Sequence, residues 1–459
     1  MKSGSKIHMI GIKGVGMTML AQFLVKDGYL VSGSDSSERF LTDKILKAAK
    51  IRVAQNFAPT NILTDVSLII YSTAYNPQTN PELKAAIKSK TRVISYPEAL
   101  AWIFNKHKGV AVVGSHGKTT TSAWLGFVAK ECGLDPSVLV GSNVPQFKGA
   151  SLHGDSKYLI AEVDEYQNKL RYFFPWMVVL NNIDHDHHDF FKTKASYIKA
   201  FRDFVRKIPK SGILVANFDD LEIRKLSKLC RGQVISYGLK YKSADYLGKN
   251  IKLSKDCQKF EVNNQNFSIL LNGQHNISNS LAVIAASQAL GLPMAKIKIG
   301  LAKFVGTERR AQILGEYNQA LIIDDYAHHP TEIKATLLGL KQKYPKKKII
   351  SVFHPHTYTR TKSLLSEFSR SFLAADELIL LDIYGSAREK QGGVSSSDLL
   401  LRIEKYNKRN GSNQKLKYIP GLEDCAAYLK SRLKPGDLLL LMGAGDVFRI
   451  GQKLLASDL

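Results

Sequence analysis

The sequence predicts an α/β protein built from three consecutive parallel-sheet domains. Three observations carry that class. Apolar runs of strand length recur along the chain and end in glycines or charged clusters. Helical spacing fills the intervals between them. The length, 459 residues, exceeds what one hydrophobic core holds.

The first domain is expected over residues 1–106. KIHMIGI is an apolar strand, GIKGVGM a glycine turn, MTMLAQFLVKDG a helix that stops at Gly28, and YLVSGSD the next strand. VSLIIYSTA (66–74) and TRVISYP (91–97) supply later strands. Strand, crossover helix and strand make a parallel sheet, and the glycine turn after the first strand makes the domain Rossmann-like. The second domain is expected over 107–308. Its strands are GVAVVG, KYLIAEVDE (157–165), WMVVLNNIDHDH (176–187) and ILVANFDD (213–220), and NGQHNISNSLAVIAASQALG (272–291) opens a helix. The third, over 309–459, repeats the Rossmann-like pattern in QALIIDDYAHHP, KIISVFHPHTYTR, ELILLDIYGSAREK and GDLLLLMGAGD. Nearly every strand ends in polar residues, and sites in open parallel sheets form at the carboxyl ends of strands.

Composition removes several classes. No apolar run approaches the roughly 20 residues that span a bilayer. The N-terminal MKSGSKIHMIGIKGVG breaks into glycines before a signal-peptide core could form. A cytoplasmic location without membrane partners is the expectation. Cys132, Cys230, Cys257 and Cys425 show no CxxC pairing and read as reduced structural thiols. Lys and Arg total 65 against 40 Asp and Glu, a net charge of +25. The excess is spread in short runs such as KYPKKK (343–348), which reads as a solvated surface. No nucleic-acid partner is expected, although a nucleic-acid-binding ATPase remains an alternative.

The chemistry concentrates in VVGSHGKTTTSAWL (112–125). A triphosphate needs backbone N–H donors, a point charge and a hydroxyl that holds Mg²⁺. Gly114 and Gly117 let the backbone approach, Lys118 reaches the outer phosphates, Thr119 is the expected Mg²⁺ ligand, and the helix presents its N-terminus to the anion. Ser115, His116 and Thr120 complete the expected nucleotide contacts. Placement after an apolar strand and before a helix marks the domain as the P-loop ATPase type. The loop is nevertheless short, with two residues between its glycines where the standard motif has four. Glu162, ending one strand, and His187, in the DHDHHD run that ends another, are the further metal ligands expected beside Thr119.

GSHGKTTT, EVDEYQ, NNIDHDHHDFF, GQHNISNSLA and GTERRAQILGEY follow one another in an order that resembles the Mur ligase family. These enzymes build the peptide stem of peptidoglycan. The resemblance accounts for the short loop and implies ATP and Mg²⁺ as cofactors. It implies that His275, Asn276 and Asn279 serve the adenine side and that Arg310 contacts phosphate. GIKGVGM (11–17) fails the dinucleotide pattern and resembles the family's UDP loop. The UDP-sugar residues so implied are Gly11, Gly14, Val15, Gly16, Met17, Asp35 and Ser72, with Asp35 placed as a ribose-binding acid would be.

DDYAHHPTE (324–332), HPHTYTRT (354–361) and YGSAREKQGGVSS (384–396) resemble the branch that adds the first amino acid. They imply UDP-N-acetylmuramate and L-alanine as substrates and Tyr326, His328, His329 and Arg360 as the amino-acid site. The catalytic set so implied is Lys118, His187, Arg310, His329 and Arg360. Some members of that branch carry a second arginine where Thr357 stands. Several relatives carry a carbamylated lysine beyond the DH motif. Here Phe201 falls near that point and Lys199 precedes it, so no carbamate is assigned. A tripeptide-adding ligase of cell-wall recycling stays open as the alternative within the family.

Overall fold

The strands of the first hundred residues pair as a βαβ reading requires in the computed structural model, which describes residues 2–40, 42–254, 256–385, 389 and 391–456. β1 (Lys6–Ile10), β2 (Leu30–Ser34), β3 (Arg52–Ala54), β4 (Leu68–Tyr71) and β5 (Arg92–Ser95) form a five-stranded sheet in the order β3-β2-β1-β4-β5. Every pairing is parallel. Ile7, Met9 and Ile10 of β1 are fully buried, as a strand covered on both faces must be.

A second sheet has eight strands: β6 (Lys108–Val113), β7 (Ser137–Val144), β8 (Gly149–Leu152), β9 (Tyr158–Glu162), β10 (Met177–Leu180), β11 (Ile213–Asn217), β12 (Gln233–Gly238) and β13 (Tyr246–Leu247). Their order is β13-β12-β11-β10-β6-β9-β7-β8, parallel except where β7 and β8 form an antiparallel edge. β6 lies between β10 and β9, with Val113 opposite Leu180 and Val112 opposite Glu162. The residues that follow these three strands therefore emerge side by side. The helix Lys118–Glu131 packs its buried Trp124 on Phe304 with ring centroids 5.2 Å apart.

The third region begins with an antiparallel meander, β14 (Lys249–Leu253), β15 (Gln258–Val262) and β16 (Gln265–Ile269). The expected parallel pattern contained no such sheet. β14 is exposed, and β15 and β16 bury Phe260, Val262, Phe267 and Ile269 in alternation with polar residues, so no continuous apolar run reveals the sheet. β17 (Gln312–Tyr317), β18 (Ala320–Asp325), β19 (Lys348–Phe353), β20 (Glu377–Leu380), β21 (Lys415–Tyr418) and β22 (Asp437–Met442) form a six-stranded sheet in the order β17-β18-β22-β19-β20-β21. It is parallel except for edge strand β17. One face packs Ile323, Leu337, Phe353, Phe368 and Leu440; the other packs Ile322, Val352, Leu439 and Ile450.

Contacts divide the chain into two compact units. One holds Met1–Ile183, Ile198–Leu247 and Ser280–Phe304; the other holds Asp184–Tyr197, Gly248–Asn279 and Val305–Leu459. The DHDHHD run thus groups with the second unit although the strand before it belongs to the first. The cysteines are free thiols. Among the described residues, no helix is long and apolar enough to cross a membrane.

Candidate active site

In the first unit the loop after β6 is held by the segment after β10. Gly114 has φ +137°, and a Cβ there would lie 3.0 Å from the backbone N and O of Asn182. Ser115 N–H donates to Asn182 O at 3.1 Å, and His116 N–H donates to Asn182 Oδ1 at 2.8 Å. Asn182 Nδ2 returns a bond to His116 O at 3.0 Å. Asn181 Nδ2 reaches Thr121 Oγ1 at 3.0 Å. Gly117, at φ +79°, then starts the helix, where a side chain would be strained. The sequence reading missed both asparagines, although they stand in the NNID run.

Lys118 Nζ folds over this loop, donating to Gly114 O at 2.5 Å, Ser115 O at 3.1 Å and Glu165 Oε2 at 3.1 Å. Burial pulls its pKa down, but the carboxylates of Glu165, Asp164 and Glu162 outweigh burial and the net direction is up. The lysine is a cation. Thr119 Oγ1 donates to Glu162 Oε1 at 2.9 Å, and Gly141 N–H donates to Glu162 Oε2 at 2.7 Å. Two of the three expected metal ligands therefore meet, both with hard oxygen donors. Thr120 is buried in the helix that follows. The third ligand, His187, belongs to the second unit, where it has φ +55° and its N–H donates to Asp186 Oδ1 at 2.7 Å.

The glycine loop after β1 is equally tight. A Cβ on Gly11 (φ +80°) would meet the Tyr75 ring at 2.6 Å and Ser72 Cβ at 2.8 Å; one on Gly16 would meet Tyr96 Oη at 2.7 Å. Gly14 caps the helix Val15–Lys26, on which Val15 is exposed and Met17 buried. Asp35 is turned inward: Oδ2 accepts from Lys13 N–H at 2.7 Å, and Oδ1 accepts from Ser36 N–H at 2.8 Å and Tyr75 O–H at 3.1 Å. Here it braces the loop. Lys13, missed from sequence, is 2% exposed, and its ammonium is bound by Ser36 O, Glu38 O and Gln55 Oε1.

In the second unit the strand ends carry a cation–histidine cluster. Arg360 makes a two-pronged pair with Asp186, Nε to Oδ1 at 3.0 Å and Nη2 to Oδ2 at 3.2 Å. Burial pushes Asp186 up, but Arg360 overrides it and holds the carboxyl well below its usual range. His356 Nδ1 lies 3.2 Å from Arg360 Nη1. His328 Nδ1 lies 3.0 Å from Tyr326 O. Burial depresses His328 to about 3, and burial followed by Arg360 depresses His356 to about 4. Both imidazoles are neutral. His329 caps the helix Pro330–Lys343, accepting from Thr331 N–H at 3.3 Å, and lies 3.7 Å from Asp184.

Arg310 lies over the Tyr326 ring at 5.3 Å and reaches Glu332 at 3.9 Å. Burial raises the neighbouring Asp325 to about 6, and its carboxylate accepts from the N–H groups of Ala311 and Ala327, each at 2.7 Å. His275 is depressed to about 4 by burial and then by Arg310. Asn276 Nδ2 donates to Asn272 O at 2.7 Å, and Asn279 Nδ2 donates to Asn276 Oδ1 at 3.2 Å. Asp186, Asp325 and His356 escaped the sequence reading as site residues. Ser386, Ala387, Arg388 and Lys390 of the YGSAREK segment lie outside the described residues.

A phosphate-type loop on one parallel sheet, a glycine loop on a second and a cation–histidine cluster on a third define a multidomain α/β protein of the nucleotide-binding class. The chain belongs to the Mur ligase family. Residues 6–108 match the Mur ligase family catalytic domain, 112–287 the Mur ligase middle domain, and 309–445 the Mur ligase glutamate ligase domain. It is 40% identical to the UDP-N-acetylmuramate–L-alanine ligase of Clostridium tetani over 98% of both chains. The protein of the same name from Clostridium acetobutylicum is 41% identical over 98% of this chain and 97% of that one. The fold matches the crystal structure of the UDP-N-acetylmuramate-alanine ligase of Thermotoga maritima with a TM-score of 0.82, at 24% identity over 99% of each chain.

Proposed function

We propose that the protein is an ATP-dependent ligase that joins L-alanine to the carboxylate of UDP-N-acetylmuramate, in the cytoplasmic synthesis of peptidoglycan precursors. The observation that carries this reading is identity near 40% across the whole chain to ligases of that name. The three segments 1–106, 107–308 and 309–459 would bind the UDP-sugar, ATP and the amino acid in turn.

The chemistry has two steps. The sugar acid's carboxylate attacks the γ-phosphoryl group, giving an acyl phosphate and ADP. The amino group of alanine then attacks the acyl carbon, phosphate leaves, and an amide remains. In the first step Lys118 exchanges the carbonyls of Gly114 and Ser115 for phosphate oxygens and carries its charge to the transferring group. Arg310 would contribute a further positive charge to the transferring phosphoryl group. The helix from Lys118 directs its N-terminus at the anion.

The oxygens of Thr119 and Glu162 suit Mg²⁺, a hard cation, and would hold it. When bound it neutralises charge on the phosphoryl oxygens. Arg360 recognises the carboxylate of alanine, and His329 orients the amine end. The neutral imidazoles of His328 and His356 add no positive charge of their own beside Arg360. The deciding experiment is phosphate release from ATP and Mg²⁺ with UDP-N-acetylmuramate, adding either L-alanine or the L-Ala-γ-D-Glu-diaminopimelate tripeptide, with mass detection of the product. Product with alanine alone is expected. Product with the tripeptide alone would move the protein to cell-wall recycling.

A further inference from the structure

The stretch Glu162–Glu165 distributes its three acids among different partners. Glu162 takes the Thr119 hydroxyl and Glu165 takes Lys118, both on the nucleotide loop. Asp164 takes a second lysine, Lys169, at 2.5 Å. That second pair borders a cleft of about 110 Å³ within the first unit. The cleft has an apolar side, with Met19, Leu100 and Phe173, and a polar side, with Tyr96, Glu162 and Asp164. Met19 lies on the helix that the glycine loop opens, and Tyr96 Oη closes over Gly16. The cleft therefore lies between the helix that the glycine loop opens and the carboxylate beside Thr119.

Lys169 is the one cation among the described residues of its lining. Its position comes from a strained turn. Gln167 (φ 56°, ψ 25°) and Asn168 (φ 55°, ψ 39°) are both left-handed, a conformation that asparagine tolerates and that costs Gln167 about 1–2 kcal/mol. Asp164 Oδ1 starts the turn by accepting from Tyr166 N–H at 2.8 Å. The turn brings Lys169 Nζ back over the Tyr166 ring at 5.3 Å and onto Asp164. The lysine side chain is 14% exposed, but its aspartate is 41% exposed. Asp164 can turn to water while the ammonium stays at the cleft wall. Strain held at a cleft wall is a sign of a binding role.

We propose that Lys169 is the specificity-determining cation that receives the carboxylate of the sugar acid, exchanging Asp164 for the substrate. The inference rests on the proposed ligase function. A sugar nucleotide anchored at the glycine loop must extend its acid arm toward Thr119 to meet the γ-phosphate, and an anion in a largely apolar cleft needs a paired charge. Lys118 is held on the nucleotide side by Glu165, so the two lysines divide the two anionic substrates between them.

The test is calorimetric binding of UDP-N-acetylmuramate and of UDP-N-acetylglucosamine, which lacks the acid arm, to the wild type, Lys169→Gln and Lys169→Arg. Lys169→Gln should lose ten- to a hundred-fold in affinity for the acid and keep its affinity for the neutral sugar. Its KM for ATP should be unchanged. Lys169→Arg should recover most of the preference for the acid. Equal losses for both sugars, or no loss for either, would overturn the proposal, because a merely structural lysine cannot change their ratio. Product formation by the wild type is read separately, so a failed ligase assignment and a failed Lys169 assignment give different results.

Discussion

Lys118 and His328 face the same problem, a titratable nitrogen buried among charges, and resolve it in opposite ways. At Lys118 burial opposes the charge, but three carboxylates from the strand end next door outweigh it, and the ammonium persists. At His328 burial dominates; Glu332 pulls toward the cation, Arg360 pushes against it, and the ring stays neutral with a pKa near 3. One region keeps a positive charge resting on carbonyl oxygens, ready to change partners. The other keeps uncharged rings around an arginine already matched by Asp186. The decisive difference is the balance of charge within reach: three carboxylates act on Lys118 unopposed, whereas Glu332 and Asp186 at His328 are countered by Arg360 and His356.

The largest break in this comparison is Lys118→Ala. It removes the transferable charge and should lower kcat at least about a thousand-fold, the scale of losing a principal transition-state charge. Affinity for the UDP-sugar, measured by calorimetry, should stay within about two-fold, because glycine-loop contacts do not involve this lysine. A variant that still forms the amide at the normal rate would refute the loop assignment.

Next comes the pair that balances the second region. Asp186→Ala leaves the Arg360 guanidinium buried without its partner, which costs about 3–5 kcal/mol. Differential scanning calorimetry should show a clear fall in the melting temperature of the second unit. Replacing both residues, Asp186→Leu with Arg360→Met, should recover most of that loss while amide formation stays absent. If the double variant is as unstable as the single one, an unpaired charge is not the cause.

A third prediction tests the neutral rings directly. His328, His356 and His275 have folded pKa values near 3, 4 and 4, below the ordinary histidine value of about 6.5. Between those limits the unfolded chain binds more protons, so stability falls as pH drops from about 6.5 toward 4. Asp325, raised to about 6, works in the opposite sense between its ordinary 3.8 and that value, as does the raised Asp324, but His188 and His354 are lowered as well, so the histidines prevail. Melting temperature followed from pH 7.5 to 4.5 should decline, and His328→Gln should flatten the slope by about 2 kcal/mol at pH 5. An unchanged slope in that variant would mean that His328 is already protonated in the fold.

The two regions also differed in how far the sequence disclosed them. The loop at 114–119 was legible because its signal is local: glycines where φ must be positive, then a lysine at the start of a helix. The α/β class was legible because buried parallel strands leave apolar runs. The Asp186–Arg360 pair was hidden because its partners lie 174 residues apart, and no periodicity reports which strand ends meet. Asp35 shows a subtler gap. Spacing placed an acid after β2, but only the fold shows its oxygens turned onto Lys13, Ser36 and Tyr75. The meander β14–β16 went unseen because the apolar residues of β15 and β16 alternate with polar ones over only five residues each, a weaker signal than the continuous runs of buried parallel strands.

The smallest effect sharpens the comparison at Thr357, which precedes Arg360 by three residues. Its backbone lies at φ 68°, ψ 135°, a region open to glycine and costly for a β-branched side chain. Something must hold it there. Thr357 N–H donates to Tyr384 O at 2.9 Å, its carbonyl accepts from Thr361 Oγ1 at 2.8 Å, and its hydroxyl accepts from Arg360 N–H at 3.4 Å. The last bond is long, so the side chain contributes less than its strain costs. Thr357→Gly should therefore stabilise the second unit by about 1 kcal/mol net of the added chain entropy, visible as a rise of a few degrees in melting temperature. The same change frees the helix start that carries Arg360, so kcat/KM for alanine should fall several-fold while KM for ATP holds. A stabilised variant with full alanine turnover would show that Asp186 alone fixes the arginine. A destabilised one would show that the threonine hydroxyl, despite its distance, outweighs the backbone strain.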